Sequence, residues 1–235
     1  MQPRVPGLIG GAGPGATAQI YLDVMARCGR SGLPNRPPLL MASVDIDLAV
    51  ERRLLHEGVG VDAYLDGLLG AVRALVAAGA DFLAMPCNTL HLLHDQMQAA
   101  SPVPILHIVE AVARRVDGVG CATVGLLSTG ATARTGLYQR GLAARDIRVV
   151  TIDDALQARL ADAIDDEVTQ SRIDDTSRLR RDILATFGEQ GACAVIAGCT
   201  ELKALMANWR LPLPVIDSLD ALGAMVFEEM VRDLG

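Results

Sequence analysis

The chain has 235 residues, 51% of them hydrophobic, and a formal net charge of −7 at pH 7. Its length allows one large domain or two smaller lobes that bury a core without cross-links. The acidic balance, with no basic stripe and interleaved aromatic residues, argues against a nucleic-acid partner, and the absence of a long apolar run or secretion signal argues against a membrane.

The first half of the sequence alternates short apolar runs with amphipathic segments. Strands are predicted at residues 5–10 and 39–44, in the run before Cys87, and at 103–106. Helices are predicted at residues 16–27, 62–78, 89–99 and 110–116 from their helical spacing of apolar residues. The polar residues 45–60 are predicted to form a loop over the sheet.

The second half repeats this order. Strands are predicted at residues 121–127 and 147–152, in the run before Cys199, and at 213–217. Helices are predicted at residues 134–143, after Asp153-Asp154, and at 174–187 and 218–233. Alternating strands and helices predict an α/β fold of two pseudo-symmetric lobes, each with a mostly parallel sheet flanked by helices and with the active site between them. We expect residues 1–117 to form the first lobe and 118–217 the second, with the final helix, 218–235, packing back on the first.

The two halves place a cysteine at the same point. Met85-Pro86-Cys87-Asn88-Thr89 and Ala197-Gly198-Cys199-Thr200-Glu201 each end an apolar run at an expected helix start. Free backbone N–H groups there favour a thiolate and bind small anions such as carboxylates. Two thiols on opposite sides of a cleft suit proton transfer at a carbon, since one can remove a proton and the other can deliver one to the opposite face.

The remaining three cysteines, Cys28, Cys121 and Cys193, are interpreted as small apolar side chains. An odd number of cysteines without paired spacing favours a reducing cytoplasm over a disulfide framework.

Two other site types are weaker alternatives. Gly11-Ala12-Gly13 with Ala16 fits a dinucleotide fingerprint, but the next strand-end acid, Asp45, lies too far along the chain, so a nucleotide- or metabolite-binding module stays an alternative. His91 and His94 are one helical turn apart and His107 is close in sequence, but zinc needs three or four ligands, so we expect no metal and interpret His91 as a hydrogen-bonding neighbour of the site.

Four motifs together resemble the aspartate/glutamate racemase family, specifically its aspartate racemase branch. They are Gly10-Gly11-Ala12-Gly13-Pro14, Met85-Pro86-Cys87-Asn88-Thr89 with His91, Thr135-Gly136-Leu137-Tyr138, and Ala197-Gly198-Cys199-Thr200-Glu201. The resemblance covers essentially the whole chain and implies a cofactor-independent racemase acting on an acidic amino acid, aspartate or glutamate. A homodimer is the expected assembly. A hydantoin racemase, a maleate cis–trans isomerase and an arylmalonate decarboxylase remain alternatives within the same superfamily, although the decarboxylase needs only one of the two thiols.

The same resemblance implies roles for individual residues. Cys87 and Cys199 would be the acid/base pair, with Cys87 serving the D-enantiomer and Cys199 the L-enantiomer. Gly11 and Gly13 would shape the cleft floor. The α-carboxylate would be bound by the turns that contain Asn88, Thr89, Thr129, Gly130, Ala131 and Thr200.

The chain departs from the family pattern at two positions. Ala12 stands where the family commonly has methionine. The arginine that meets a distal carboxylate corresponds to Arg53, with a solvated loop charge as the alternative, but the position of the family's lysine holds Thr169. Glu167 is a further candidate for the cleft edge.

Overall fold

The structure is a computed structural model that describes residues 2–57, 59–168, 176–200, 202–207 and 209–234. The first half contains strands β1 (Pro6–Gly10), β2 (Leu40–Ser43), β3 (Phe82–Ala84) and β4 (Ile105–Leu106), and helices α1 (Pro14–Arg30), α2 (Leu48–His56), α3 (Leu65–Ala77), α4 (His94–Ala99) and α5 (Ile108–Val119). Two 3-10 helices, Val61–Tyr64 and Thr89–Leu93, precede α3 and α4.

The second half contains strands β5 (Thr123–Ser128), β6 (Arg148–Val150), β7 (Ala194–Gly198) and β8 (Val215–Asp217). Its helices are α6 (Gly130–Thr135), α7 (Leu137–Ala143), α8 (Asp154–Val168), α9 (Ser177–Glu189), α10 (Leu202–Leu205) and α11 (Ser218–Val231), followed by a 3-10 helix, Arg232–Leu234. None of the described helices is long and apolar enough to cross a membrane.

The two halves build the same kind of sheet. Each sheet has four strands, in the order β2-β1-β3-β4 and β6-β5-β7-β8, and every neighbouring pair is parallel. The prediction of two pseudo-symmetric α/β lobes is therefore confirmed. Since all strands of a lobe point the same way, their carboxyl ends share one edge, where ligands of such sheets bind.

The largest apolar core joins the lobes. It contains side chains from β1 and α1 of the first half and from β5 and α7 of the second. Helix α11, although last in sequence, packs on α1 and α5 of the first half. An ion pair of 2.5 Å between Arg27 on α1 and Asp220 on α11 lies beside this contact.

The segment 45–60, predicted to be a loop, contains helix α2, so that prediction was wrong. Asp47 caps the helix, because its side chain accepts hydrogen bonds from the backbone N–H groups of Ala49 and Val50 at 2.8 and 3.1 Å. Apolar Val50 and buried Leu54, four residues apart, pack on the first-lobe core. The helix contacts α6 and α8 of the other lobe and so extends over the cleft between the sheets.

The helix after Cys87 is shorter than predicted, and the helix after Cys199 is also short. Residues 89–99 form a five-residue 3-10 helix and then α4, and α10 has only four residues. The backbone N–H groups that follow each thiol therefore belong to a short helical turn, and the effect of a helix N-terminus is confined to such a first turn. The segment 134–143 is also divided, because Gly136 adopts a left-handed conformation, with φ 66°, between α6 and α7.

A disulfide joins Cys121 and Cys193, so the interpretation of both as unpaired apolar side chains was wrong. The two residues lie just before the adjacent parallel strands β5 and β7, which brings their Cα atoms to 5.9 Å despite a sequence separation of 72 residues. Cys28 is free and buried, as predicted. The cysteine pattern thus gives no reason to favour the cytoplasm, and a cytoplasmic location stays a prediction.

Candidate active site

A cavity of about 570 Å³ lies at the carboxyl ends of the two sheets. Its walls come from both lobes and from α2, which covers one side. The lining residues from the first half are Ala12, Gly13, Ile46, Leu48, Ala49, Glu51, Arg52, Arg53, Leu54, Tyr64, Cys87, Asn88, Thr89 and Leu90, and those from the second are Thr129, Ile164, Asp165, Cys199 and Thr200.

Cys87 and Cys199 both line this cavity, one from each lobe. Cys87 follows β3 after two residues, and its backbone N–H donates to the carbonyl oxygen of Met85 at 2.9 Å. Cys199 directly follows β7, and its carbonyl oxygen accepts from the backbone N–H of Leu202 at 3.1 Å. Duplication of the strand and turn therefore places a thiol on either side of one enclosed volume.

His91 lies behind Cys87 and is 2% exposed. Its Nε2 accepts from the backbone N–H of Ile108 at 3.1 Å, and its Nδ1 is 2.7 Å from the carbonyl oxygen of Cys87. A backbone N–H can only donate, so the proton is on Nδ1, which donates to Cys87. Burial, together with the neighbouring His107, lowers the pKa of His91 to about 3, and the ring is neutral at ordinary pH.

Three threonine hydroxyls meet where the lobes face each other. The Oγ1 of Thr89 lies 2.9 Å from that of Thr129 and 3.3 Å from that of Thr132, and the last two are 3.1 Å apart. All three side chains are buried. Thr129 also caps α6 by accepting from the backbone N–H of Thr132. Hydroxyl groups that can rotate between partners are able to donate to an anion in the cavity.

Asn88 is oriented by the second lobe. Its Oδ1 accepts from the hydroxyl of Tyr138 at 2.6 Å, and its Nδ2 donates to the hydroxyl of Ser218 at 2.9 Å. Burial raises the pKa of Tyr138, so this phenol keeps its proton and serves as the donor. The residue after Cys87 therefore has a fixed side chain with a defined direction for its oxygen and nitrogen.

The wall formed by α2 combines apolar and charged side chains. Arg53 lines the cavity but is exposed, and Arg52 reaches across the lobes to Asp165 at 3.5 Å. Tyr64 is buried, and burial, with a further contribution from Glu51, raises its pKa to about 12. The predicted position of Arg53 near a distal substrate group is therefore compatible with the fold, in a wall that also contains acidic groups.

The structure brings most, but not all, of the predicted binding residues together. Gly13, Arg53, Asn88, Thr89, Thr129 and Thr200 line the cavity, whereas Gly11, Gly130 and Ala131 are not among its described lining residues. Thr169 lies outside the described residues, as does the side chain of Glu167. Tyr64, Asp165 and the lining residues of α2 other than Arg53 were not predicted as site residues. An available signal was Asp47, a good N-cap ahead of an apolar triplet.

The glycine-containing turn after β1 contacts Val44, the residue that follows β2. Gly11 has φ 112°, and a Cβ there would clash with the carbonyl oxygen of Val44 at the end of β2. The backbone N–H of Val44 also donates to Gly10 at 2.9 Å. Gly11 thus allows the chain after β2 to approach β1, which accounts for this glycine without a bound dinucleotide.

His91, His94 and His107 form a cluster with ring centroids 4.5 to 5.9 Å apart. The backbone engages one nitrogen of each of the other two rings: His94 Nε2 is 2.9 Å from the carbonyl oxygen of Ile105, and His107 Nδ1 accepts from Val109 N–H. Over the described residues, no group of three or more histidine, cysteine, aspartate or glutamate side chains is arranged to hold a metal ion.

Comparisons with known proteins agree with this architecture. The family described as Asp/Glu/Hydantoin racemase matches residues 9–226. The broad specificity amino-acid racemase RacX of Bacillus subtilis is 29% identical over 218 residues, covering 90% of this chain and 92% of RacX. A candidate Asp/Glu racemase from Yersinia pestis superimposes with a TM-score of 0.83 at 28% identity, covering 97% of this chain and 99% of its own. An aspartate racemase homologue from Pyrococcus horikoshii gives 0.78 at 26% identity, covering 96% and 98%.

Proposed function

The chain belongs to the Asp/Glu/hydantoin racemase family of isomerases, and on that premise we propose that it is a cofactor-independent amino-acid racemase whose two bases are Cys87 and Cys199. The observation that carries the proposal is that both thiols line one cavity, each at the end of the equivalent strand of its lobe. An amino acid bound between them would present opposite faces of its α-carbon to the two cysteines.

The proposed reaction needs only proton transfers. One cysteine, as thiolate, removes the α-proton, and the electron pair stays on the substrate, delocalised into its carboxylate. The other cysteine, as thiol, donates a proton to the opposite face, which inverts the configuration. Each cysteine ends in the protonation state that the other had at the start. We assign Cys87 to the D-enantiomer and Cys199 to the L-enantiomer.

The α-carboxylate of the substrate would bind beside the two thiols. Thr89 and Thr129 present hydroxyl groups at the cavity, and Asn88 and Thr200 directly follow the two cysteines. Hydrogen bonds from these groups would hold the carboxylate while negative charge develops next to it. The buried surroundings strengthen such bonds, because little water competes for the donors.

We propose an acidic substrate, aspartate or glutamate, with Arg53 meeting the distal carboxylate. A guanidinium suits this role because it can form two parallel hydrogen bonds to a carboxylate. The second candidate is a neutral side chain, which is favoured by the many apolar residues in the cavity wall, among them Ile46, Leu48, Leu54 and Ile164. Both candidates use the same two cysteines, and they differ in the substrate side chain that the wall formed by α2 would contact.

The oligomeric state and the cellular location of the protein stay proposals. A homodimer is the assembly that we expect, and a cytoplasmic location is compatible with an amino-acid substrate. Sedimentation equilibrium of the full chain tests the first, and a monomer mass at micromolar concentration would contradict it.

A panel of L- and D-amino acids in heavy water tests the proposed function. The wild-type protein is expected to remove the α-proton signal of aspartate or glutamate in the NMR spectrum and to bring optical rotation to zero. The chelated, cofactor-free protein should be equally active. If no acidic or neutral amino acid exchanges its α-proton, the racemase proposal fails; exchange of neutral ones alone would replace the acidic substrate by the second candidate.

A further inference from the structure

We propose that His91 is a positioning residue for Cys87, holding the peptide carbonyl of that cysteine against the start of α5 so that the thiol keeps its direction into the cavity. The inference rests on the proposed function in assigning Cys87 a role in catalysis. It assigns His91 no proton transfer of its own, since His91 is not among the described residues that line the cavity.

The geometry fixes Cys87 from both sides of its Cα. Its N–H donates to Met85, and its carbonyl oxygen accepts from His91 Nδ1 at 2.7 Å. The imidazole is itself held at its other nitrogen by the Ile108 N–H at 3.1 Å. A chain of two hydrogen bonds therefore connects the first residue of α5 to the peptide of Cys87, through a side chain that packing prevents from turning.

The charge state of His91 suits a fixed support rather than a proton donor. The ring is enclosed, and His107 and His94 stand 5.0 and 5.9 Å away, centroid to centroid. A positive charge on this ring would be repelled by a charge on either neighbouring imidazole and would be poorly solvated in the buried interior. The neutral ring keeps one donor and one acceptor at all pH values where a thiolate can exist, so the two hydrogen bonds do not depend on pH.

In the second lobe, the position that corresponds to His91 holds a residue without an imidazole ring. The residue four positions after Cys199 is Lys203, whose Nζ lies 3.7 Å from Asp23 Oδ2 on α1. The carbonyl oxygen of Cys199 is held instead by a backbone donor, Leu202 N–H. Both lobes therefore place a thiol at the cavity, but a side chain holds the carbonyl oxygen of Cys87 and a backbone N–H holds that of Cys199. Cys199 serves as an internal control for the His91 variants.

Three substitutions separate positioning from packing. In His91→Asn, the side-chain NH₂ group takes the place of Nδ1 and can still donate to the Cys87 carbonyl. In His91→Gln, the longer amide reaches the place of Nε2, where it can accept from Ile108 but leaves Cys87 without its donor. His91→Leu removes both hydrogen bonds while retaining apolar volume.

The measurements are the alkylation rate of each cysteine by iodoacetamide, read by peptide mass spectrometry, and the kcat and KM of racemisation. We expect His91→Gln and His91→Leu to slow alkylation of Cys87 and to lower kcat by about tenfold, the effect of one lost buried hydrogen bond. His91→Asn should stay within about threefold of wild type by the same measure. Alkylation of Cys199 and KM should change little in all three variants.

Equal losses in His91→Asn and His91→Gln at equal thermal stability would overturn the inference, since they would indicate a packing role. Wild-type reactivity of Cys87 in a folded His91→Leu would also overturn it. If His91→Leu does not fold, the comparison of the asparagine and glutamine variants still decides. Absence of racemisation in the wild type would sink the proposed function, but the alkylation rates would still test the positioning of Cys87 separately.

Discussion

The hydroxyl oxygen of Thr89 lies 2.9 Å from the hydroxyl oxygen of Thr129, and the two residues belong to opposite lobes. Thr132 completes the group from the second lobe. Without a ligand, these hydroxyls can satisfy one another. A carboxylate in the cavity would accept hydrogen bonds from Thr89 and Thr129 in place of their mutual contact. The same hydroxyl groups would thus either link the two lobes or bind the anion.

Thr89→Val should weaken substrate binding with little change in shape. A lost hydrogen bond to a charged group costs about 1.5 to 3 kcal/mol, so KM should rise by at least about tenfold. Steady-state kinetics with the best substrate of the heavy-water panel measure this. Thr132→Val is the matched control, since Thr132 is not among the described lining residues and its loss should reduce thermal stability but leave KM within about twofold. An unchanged KM in Thr89→Val would remove Thr89 from the carboxylate site.

Cys87→Ser and Cys199→Ser should each abolish racemisation, because both proton transfers occur in every turnover. A serine hydroxyl is a far weaker acid than a thiol and does not form the required anion at neutral pH. Cys28→Ser is the control, since Cys28 is a free thiol buried in the apolar core. Circular dichroism of D- and L-substrate solutions follows the reaction. Near-normal racemisation by either active-site variant would show that one base suffices.

Arg53→Ala distinguishes the acidic from the neutral substrate. If Arg53 meets a distal carboxylate, its removal should lower kcat/KM for the acidic amino acid by roughly 30-fold, about 2 kcal/mol, and barely affect a neutral one. We take the lower end of the range for such pairs because Arg53 is exposed. The exposed Arg36, which is not among the described lining residues, provides Arg36→Ala as the control. Equal effects on both substrates would contradict the acidic assignment.

Acid should destabilise the fold through the histidine cluster. Burial lowers the pKa of His91 to about 3 and of His107 to about 4, from 6.5 in the unfolded chain. Below pH 6.5 the unfolded chain therefore binds more protons than the folded one. The free energy of unfolding should fall by about 1.4 kcal/mol per pH unit for each histidine as the pH drops from 6.5 toward these values. Above pH 6.5 both histidines are neutral in the folded and the unfolded chain, so they should cause no further change in this free energy.

Urea unfolding at a series of pH values measures that slope. His107→Asn should reduce it by about half, because one titrating group is removed while an amide oxygen can still cap α5. A slope equal to that of the wild type would mean that His107 does not titrate differently in the folded and unfolded chains.

Reducing the disulfide should lower stability. Cys121 and Cys193 are 72 positions apart in sequence, and a cross-link of that span is worth about 4 kcal/mol in the chain-entropy treatment. Cys121→Ser and dithiothreitol should therefore cause similar decreases in Tm. Thiol titration of the unfolded, unreduced chain should count three thiols, because Cys28, Cys87 and Cys199 are outside the disulfide. A count of five would contradict the pairing.

The sequence predicted the lobes well because duplication leaves a visible pattern. The apolar runs before Cys87 and Cys199, and the order of strands around them, follow from local residue types alone. The disulfide could not be found this way, because Cys121 and Cys193 become neighbours only through the pairing of β5 with β7. The part of the cavity wall formed by α2, apart from Arg53, was not predicted for a different reason. Some of the polar side chains of segment 45–60 face the cavity, and the segment was therefore interpreted as a loop.

The position of α11 constrains when the protein can fold. This helix, the last in the chain, packs on α1 and α5, and Arg4 near the N-terminus donates its backbone N–H to the carbonyl of Met230 at 2.9 Å. The apolar surfaces of α1 and α5 are therefore covered only after residues 218–231 have been synthesised. Such long-range contacts slow folding and expose the nascent chain to aggregation. Since Arg4 and Met230 are hydrogen-bonded neighbours, a chain in which α11 is moved ahead of β1 through a short linker should retain the fold and cover the first lobe as it is synthesised.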